Sequence, residues 1–307
     1  MTDAATLLVP PRRRRAGRGA RLRAAVYGLL GVVALAVVWE LYKWLGPVDG
    51  LVAGDVRILP RTSDLAMPHV WDMIARMFEP VTRAEGARVL WLEIVLAASL
   101  TLGIAAAGWV VGVVVGMAFA LIMQRWLIAE SALLPWIVLS QTVPLIAFAP
   151  LVKSWGSRIE IGTFEWQDWM SVAVIASYLA FFPVAVGALR GLQAPDRLHL
   201  ELLHTYSAGW WPTLVHLRLP AAVPFLLPAL RLAAANAVVG AVVAEVSTGL
   251  QGGIGRLVIQ YAGQASGDPA KAWAPIFGAI ALRLIAAGSV ALLGLLAKNY
   301  RRTEGAS

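Results

Sequence analysis

Long apolar runs separated by shorter polar stretches dominate the sequence. Six stand out, over residues 24–45, 92–123, 131–152, 169–190, 219–246 and 272–297. Crossing about 30 Å of hydrocarbon takes about 20 consecutive apolar residues in an α-helix. Each run reaches that length, so the pattern predicts an all-α membrane protein with about six transmembrane helices. Pro220, Pro224 and Pro228 fall at or within the fifth run. Prolines persist in membrane helices where neighbouring groups re-satisfy the freed backbone. The resulting layout is a basic tail (1–23), a first span (24–45), a polar segment (46–91), a core (92–297) with a long loop at 191–218, and a second tail (298–307).

Two polar stretches carry local patterns. Val70 to Phe78 places Trp71, Ile74 and Phe78 at helical spacing, which predicts a short amphipathic helix. It either lies in the membrane interface or acts as a connector. Residues 153–168 mix charge with aromatics and read either as an outer-mouth contact or as a solvated hairpin.

Composition sharpens the membrane assignment. The chain has 307 residues, 59% hydrophobic and only 14% charged, where soluble domains carry about 25% charged residues. There is no cysteine, which excludes disulfides, thiolate nucleophiles and cysteine-held metals. The four histidines are scattered without metal-ligand spacing. Glu160 and Glu165 are better explained as solvated loop residues than as a catalytic pair. Gln251-Gly252-Gly253-Ile254-Gly255 is glycine-rich but lacks the lysine of a phosphate loop. No metal or catalytic set is expected, and the chain is read as no enzyme.

The N-terminal basic run, Arg12 to Arg15 followed by Arg18, Arg21 and Arg23, raises the question of a cleaved signal. A signal h-region is about 7–15 residues and ends at small residues. Here the apolar stretch is longer and ends in Trp39-Glu40-Leu41-Tyr42-Lys43-Trp44. A retained helix is expected.

Charge then orients the spans. With the N-terminus inside, the inner pieces 1–23, 124–130, 191–218 and 298–307, with Arg190, hold 14 Lys/Arg and 5 Asp/Glu. The outer pieces 46–91, 153–168 and 247–271 hold 9 Lys/Arg and 10 Asp/Glu. This asymmetry follows the positive-inside rule and puts both termini in the cytoplasm. The net charge of +8 is thereby assigned to orientation and anionic lipid, and no nucleic-acid partner is expected. Trp39, Trp44, Trp91, Trp126, Trp155, Trp169 and Trp273 lie near span ends, as interfacial anchors do.

Small and polar residues inside the spans are the remaining signals. Gly108, Gly112 and Gly116 recur every four residues, a stripe that lets another helix approach closely. Arg231 and Arg283 fall mid-span, and Glu93 and Glu245 near span ends. An ionisable group at the centre of a lipid-exposed helix costs at least about 2.5–3.5 kcal/mol, so these residues should face protein or a cavity. Two readings stay open. Gln141, Arg231, Asn236, Glu245 and Arg283 either line a path favouring anions, or make structural pairs that fix packing.

The loop Glu201-Leu-Leu-His-Thr-Tyr-Ser207-Ala208-Gly209, continuing to Leu217-Arg-Leu219-Pro220, resembles the EAA loop of ABC-importer permeases. That pattern is Glu-Ala-Ala, three residues, Gly, nine residues, Ile, one residue, Leu-Pro. The spacing fits without a gap. Leu202 and Leu203 stand at the two alanines, and Ser207 at the glycine. Flanking segments are similar to the nitrate/sulfonate/taurine branch of the same family. They are Ser140-Gln141-Thr142-Val143-Pro144, Ala149-Pro150-Leu151 with Trp155-Gly156, and Phe181-Phe182-Pro183 with Gly191-Leu192. Two more are Ala229-Leu230-Arg231, and Val243-Ala244-Glu245 before Gly253-Ile254-Gly255. The resemblance covers about residues 95–297.

The resemblance implies the type I (MetI-like) ABC-importer transmembrane fold in a bacterial plasma membrane. It also implies partners: an ATPase subunit carrying ATP and magnesium, an extracytoplasmic solute-binding protein, and a second permease chain, identical or related. Cargo would be a small solute, either an anion such as a sulfonate or nitrate or a vitamin precursor. This chain would bind no cofactor. The docking helix would present Leu198, Leu202 and Leu203 to a groove on the ATPase and end at Gly209 and Pro212. An ATP-independent secondary transporter or channel is the competing reading, and a membrane enzyme or anchor a third. Intramembrane acidic groups for ion coupling are sparse, and no polar catalytic cluster is found.

Overall fold

The computed structural model describes residues 18–53 and 56–296. The Arg12 to Arg15 run and the 298–307 tail lie outside them. The chain divides into two compact units, Met1–Asp72 and Met73–Ser307.

In the first unit, α1 (Arg18–Leu45) is followed by a hairpin of β1 (Leu51–Ala53) and β2 (Val56–Leu59). The helix starts earlier than the expected 24. Its apolar side chains, Leu29, Val32 and Leu35 among them, are exposed, as a helix solvated by lipid requires. The aromatic-charged run at its end does more than sit in an interface, because it ties down the segment that follows. Lys43 Nζ, its side chain only 7% exposed, donates to Asp64 Oδ1 (2.6 Å), Met67 O (2.6 Å) and Thr62 O (3.3 Å). Glu40 accepts from the Val70 N–H (2.7 Å) and meets His69 Nδ1 (2.7 Å). Trp39 Nε1 donates to Pro68 O and Tyr42 Oη to Pro60 O. The Lys43 ammonium holds the Asp64 carboxyl below the usual carboxylate range.

The sequence boundary between the units falls inside α2 (Val70–Arg76). This short helix leaves Trp71 and Ile74 exposed, with Phe78 exposed just beyond it and Met73 buried.

The second unit holds α3 (Leu90–Arg125), α4 (Leu127–Ser140), α5 (Leu145–Gly156), α6 (Asp168–Leu192), α7 (Arg197–Thr205), α8 (Trp210–Thr213), α9 (Leu219–Thr248), α10 (Ile254–Ala262) and α11 (Ala274–Leu296). Four segments are long and apolar enough to cross a membrane: α3, α6, α8 to α9 with the turn between them, and α11. The expected continuous span 131–152 is corrected. It is two helices, α4 and α5, meeting at 103°. Pro144 lacks the N–H that would continue the ladder, and the chain turns at Gln141 to Val143. The pair nonetheless joins the two ends of the bundle. Near its start, Glu130 accepts from Gln193 beyond α6 (2.7 Å). Near its end, Lys153 Nζ reaches Asp168 at the start of α6 (2.9 Å) and Thr248 O at the end of α9 (3.3 Å). Counting the pair as one span and including α1 gives six. Beyond α5, Glu160–Ile161 and Phe164–Glu165 pair as β3 and β4, a two-stranded hairpin.

The core forms where α6 is gripped by α3 on one side and α9 on the other. A Cβ on Gly108, Gly112 or Gly116 of α3 would come within 2.5–2.7 Å of Ala176 Cβ, Ala180 Cβ and Phe181 O of α6. Gly191 lies against Ala222, and Gly240 against Ala176, on the α9 side. Small residues thus let three backbones touch, so dispersion and not hydrophobic transfer holds helices together in lipid. Outward residues such as Val110 and Val114 stay apolar and exposed.

Candidate functional site

At one end of the bundle lies the loop between α6 and α9. α7 has no buried residue. Leu198 and Leu202 are 69% and 53% exposed, Glu201 is exposed and Leu203 half-buried. The helix stops at Thr205, before the expected Gly209 and Pro212, and its ending has a specific cause. Ser207 N–H donates to His204 O (2.9 Å) and Ala208 N–H to Leu203 O (3.0 Å), with Ser207 at φ +56°. This is a Schellman turn, whose left-handed residue is most often glycine. The pattern this loop resembles has glycine at this position, and Ser207 adopts the left-handed conformation with a side chain.

Gly209 then precedes α8, and a π-turn spans Leu214–Arg218 before α9. Such π-segments are rare and often mark functional positions. Trp210 pins the loop to the end of α3. Its Nε1 donates to Gln124 Oε1 (3.1 Å), and the Arg125 guanidinium stands 5.2 Å from its ring centre. Leu214 is buried, Leu217, Leu219 and Pro220 are half-buried, and Arg218 donates to Leu192 O (2.9 Å). The loop is therefore anchored to α3 and α6, while α7 projects bare.

The break between α4 and α5 shapes a second feature. A cavity of about 350 Å³ is lined by Gln141, Val143, Pro144 and the first residues of α5, Leu145 and Ile146. Tyr178, Leu179 and Val243 line it from α6 and α9, and it is open on the side of Val143 and Ile146, which are exposed. The Tyr178 hydroxyl donates to Ser140 O, the last carbonyl of α4. Tyr178 also contacts the Phe148 and Phe181 rings, at 5.6 and 5.9 Å between centres.

The intramembrane polar residues separate into two groups. Glu245 is fully buried. It accepts from Thr101 Oγ1 (2.8 Å) and the Gly255 N–H (2.8 Å), while Thr101 Oγ1 accepts from the Ile254 N–H (2.9 Å). A Cβ on Gly253 would strike this carboxylate, so the Gly253-Ile254-Gly255 run exists to let it approach. Glu245 thus clamps α9, α3 and α10 and lines none of the cavities described. Arg231 and Arg283 are exposed and make no hydrogen bond or ion pair among the described residues. Asn236 is half-buried on α9. Glu93 meets Arg88 at 3.5 Å. The structure brings Gln141 to the cavity but places Glu245 in a separate knot.

The sequence profile described as "Binding-protein-dependent transport system inner membrane component" matches residues 90–302, from the first residue of α3 onward. The chain belongs to this family. Among its relatives, the formylaminopyrimidine transport permease protein ThiX of Halalkalibacterium halodurans is 32% identical over 225 residues, 69% of this chain and 84% of that protein. The riboflavin transport system permease protein RibX of Chloroflexus aurantiacus is 30% identical over 135 residues, 44% of this chain and 46% of that protein. A protein named for aliphatic sulfonates transport, SsuC of Bacillus subtilis, is 26% identical over 232 residues, 76% and 72% of the two chains. The protein is an ABC transporter permease with the type I (MetI-like) fold, a multi-pass membrane protein and not an enzyme.

Three residues that shape this permease were not singled out by sequence reasoning. Thr101 looked like one more small residue in an apolar run. Tyr178 had no pattern partner, since Ser140 is 38 residues away. Trp210 stood beside Trp211 and Pro212 with nothing to mark it as the anchor.

Proposed function

We propose that this permease is driven by a separate ATPase that docks on α7, and that α7, Trp210 and the π-turn pass that motion to α3, α6 and α9. One observation carries the reading: a helix with exposed leucines and no buried residue, held stiffly at both flanks. An apolar helix face left bare fits a groove on another protein. Leu198, Leu202 and Leu203 are the docking face, with Glu201 beside them. Ser207 to Gly209 form the stop, and Leu217, Leu219 and Pro220 the joint to α9. ATP and magnesium belong to the partner.

The same reading places α7 and both termini in the cytoplasm of a bacterial plasma membrane, with a solute-binding protein on the opposite side. A second permease chain, identical or related, completes the path. Arg231 and Arg283, exposed on this single chain, face that second chain or the aqueous path, since lipid would penalise them. The cargo is a small solute. The relatives' names frame two chemistries, planar heterocycles and sulfonates.

Co-purification tests the docking. The tagged permease should retain its ATPase, while Leu203→Asp should lose it and reduce ATP-driven uptake by about tenfold or more, the equivalent of about 1.4 kcal/mol of docking energy. Glu201→Ala should uncouple hydrolysis from uptake with the protein still folded. A functional permease that never retains an ATPase refutes the proposal.

A further inference from the structure

The broken span is the place where the two cargo chemistries part. The cavity at the α4–α5 break lies beside Tyr178, near the middle of α6. Interrupted helices near the membrane midplane are where transporters place solutes, because the break frees backbone groups that a continuous helix consumes. Its volume, about 350 Å³, falls at the lower end of the range for small-ligand pockets, about 300–1,000 Å³.

The lining carries no lysine, arginine or histidine. An anion entering it would meet no cationic side chain, only the partial positive charge at the start of α5, which does not make up for the hydration it loses in an apolar surrounding. What the lining does offer is apolar surface from Val143, Leu145, Ile146 and Val243, one aromatic ring, and a few neutral polar groups. Gln141 Nε2 donates to Ser140 Oγ (3.2 Å), while its Oε1 has no hydrogen-bond partner among the described residues. The N–H groups of Leu145 and Ile146, the first two of α5, have no intrahelical acceptor and belong to residues that line the same cavity, while those of Ala147 and Phe148 donate to Pro144 O. A free carbonyl acceptor and free amide donors beside an apolar slot match the edge and faces of a flat ring bearing amino and ring-nitrogen or carbonyl groups.

We infer that the cavity at the α4–α5 break is a solute-binding site that takes a neutral, planar heteroaromatic molecule, with Gln141 reading its polar edge and Tyr178 beside its face. This deepens the importer reading and rests on it. Arg231 and Arg283 take no part in it. Tyr178 has a second task, because its hydroxyl holds the end of α4 and so keeps the slot open.

The test uses the permease with its ATPase in lipid nanodiscs, with no solute-binding protein, and calorimetry or saturation-transfer NMR. Aminopyrimidine and lumiflavin are the neutral probes, and ethanesulfonate and nitrate the anionic comparators. At least one neutral probe should bind saturably. Val243→Trp, which fills the slot, should abolish that binding. Gln141→Leu, on the half-exposed lip where folding is not at stake, should weaken it by about tenfold, as loss of a site hydrogen bond does. Binding of neither neutral probe, retention of binding in both slot variants, or anion binding that Val243→Trp removes would overturn the assignment. Loss of the importer reading shows elsewhere, as failure of the ATPase to accompany the permease, and the same titrations on the permease alone then test the site by itself.

Discussion

The two ends of the core bundle are fastened in different ways. At the α10 end, charged groups are buried and saturated. Glu245 is fully enclosed with both oxygens occupied. Lys271, 6% exposed, donates to Val81 O and Gln264 Oε1 (both 3.0 Å) and stands 4.4 Å from the Tyr261 ring centre. Arg76 meets Asp268 at 2.8 Å, and burial pushes the Tyr261 phenol above its usual pKa. At the α7 end, no buried ionised side chain is fully satisfied; the polar ties are hydrogen bonds on half-buried or exposed residues beside the buried Leu214, and one whole helix is left uncovered. The difference teaches that the α10 end is built to hold its geometry and the α7 end to be grasped and moved.

Breaking the saturated end should cost most. Glu245→Ala strands the Gly255 N–H, a buried orphan that costs about 1–3 kcal/mol, and leaves a cavity that adds to the loss, while the Thr101 hydroxyl falls back on Ala97 O (3.1 Å). A loss near 3 kcal/mol or more is expected, read as a large drop in detergent-solubilised Tm. An unchanged Tm would show that the knot is not structural. Lys271→Met should come next. It keeps the stem but strands two carbonyl acceptors, for about 2 kcal/mol, read by the same unfolding assay.

The α7 end should respond less in stability and differently in function. Ser207→Gly removes the Cβ penalty of the left-handed conformation, about 1–2 kcal/mol for an L-residue, offset in part by glycine's extra unfolded entropy. A net gain of about 1 kcal/mol is expected. No gain in Tm would mean that Ser207 is not strained there. Leu202→Asp should change Tm least, within about 0.5 kcal/mol as for exposed sites, yet reduce ATP-driven uptake sharply. A matching fall in Tm would show that the leucine packs within this chain and is not free for a partner.

Much of the architecture was legible because lipid forces a simple code. Long apolar runs had to become helices, and α1, α3, α6, α9 and α11 start and end within a few residues of those runs, save for the earlier start of α1. The α4–α5 break was not legible. Leu133 to Leu151 reads as one apolar stretch, and Pro144 resembles the prolines that α9 accommodates at positions 224 and 228. What differs is the tertiary surrounding. Tyr178 and the aromatic rings beside it support the bend, and they come from a distant part of the chain. The stop of α7 was misplaced for a related reason. Gly209 and Pro212 are strong breakers, but a serine at φ +56° ends the helix first. The knot at Glu245 needed Thr101, 144 residues away, and no local spacing carries that.

The glycine stripe of α3 has a consequence for motion. Because Gly108, Gly112 and Gly116 bring α3 close to the α6 backbone, with only short side chains such as Ala176 and Ala180 at the seam, the two helices have little to slide over or re-mesh. They form a single plank. A seam packed this closely transmits a push applied at one end of either helix to its whole length.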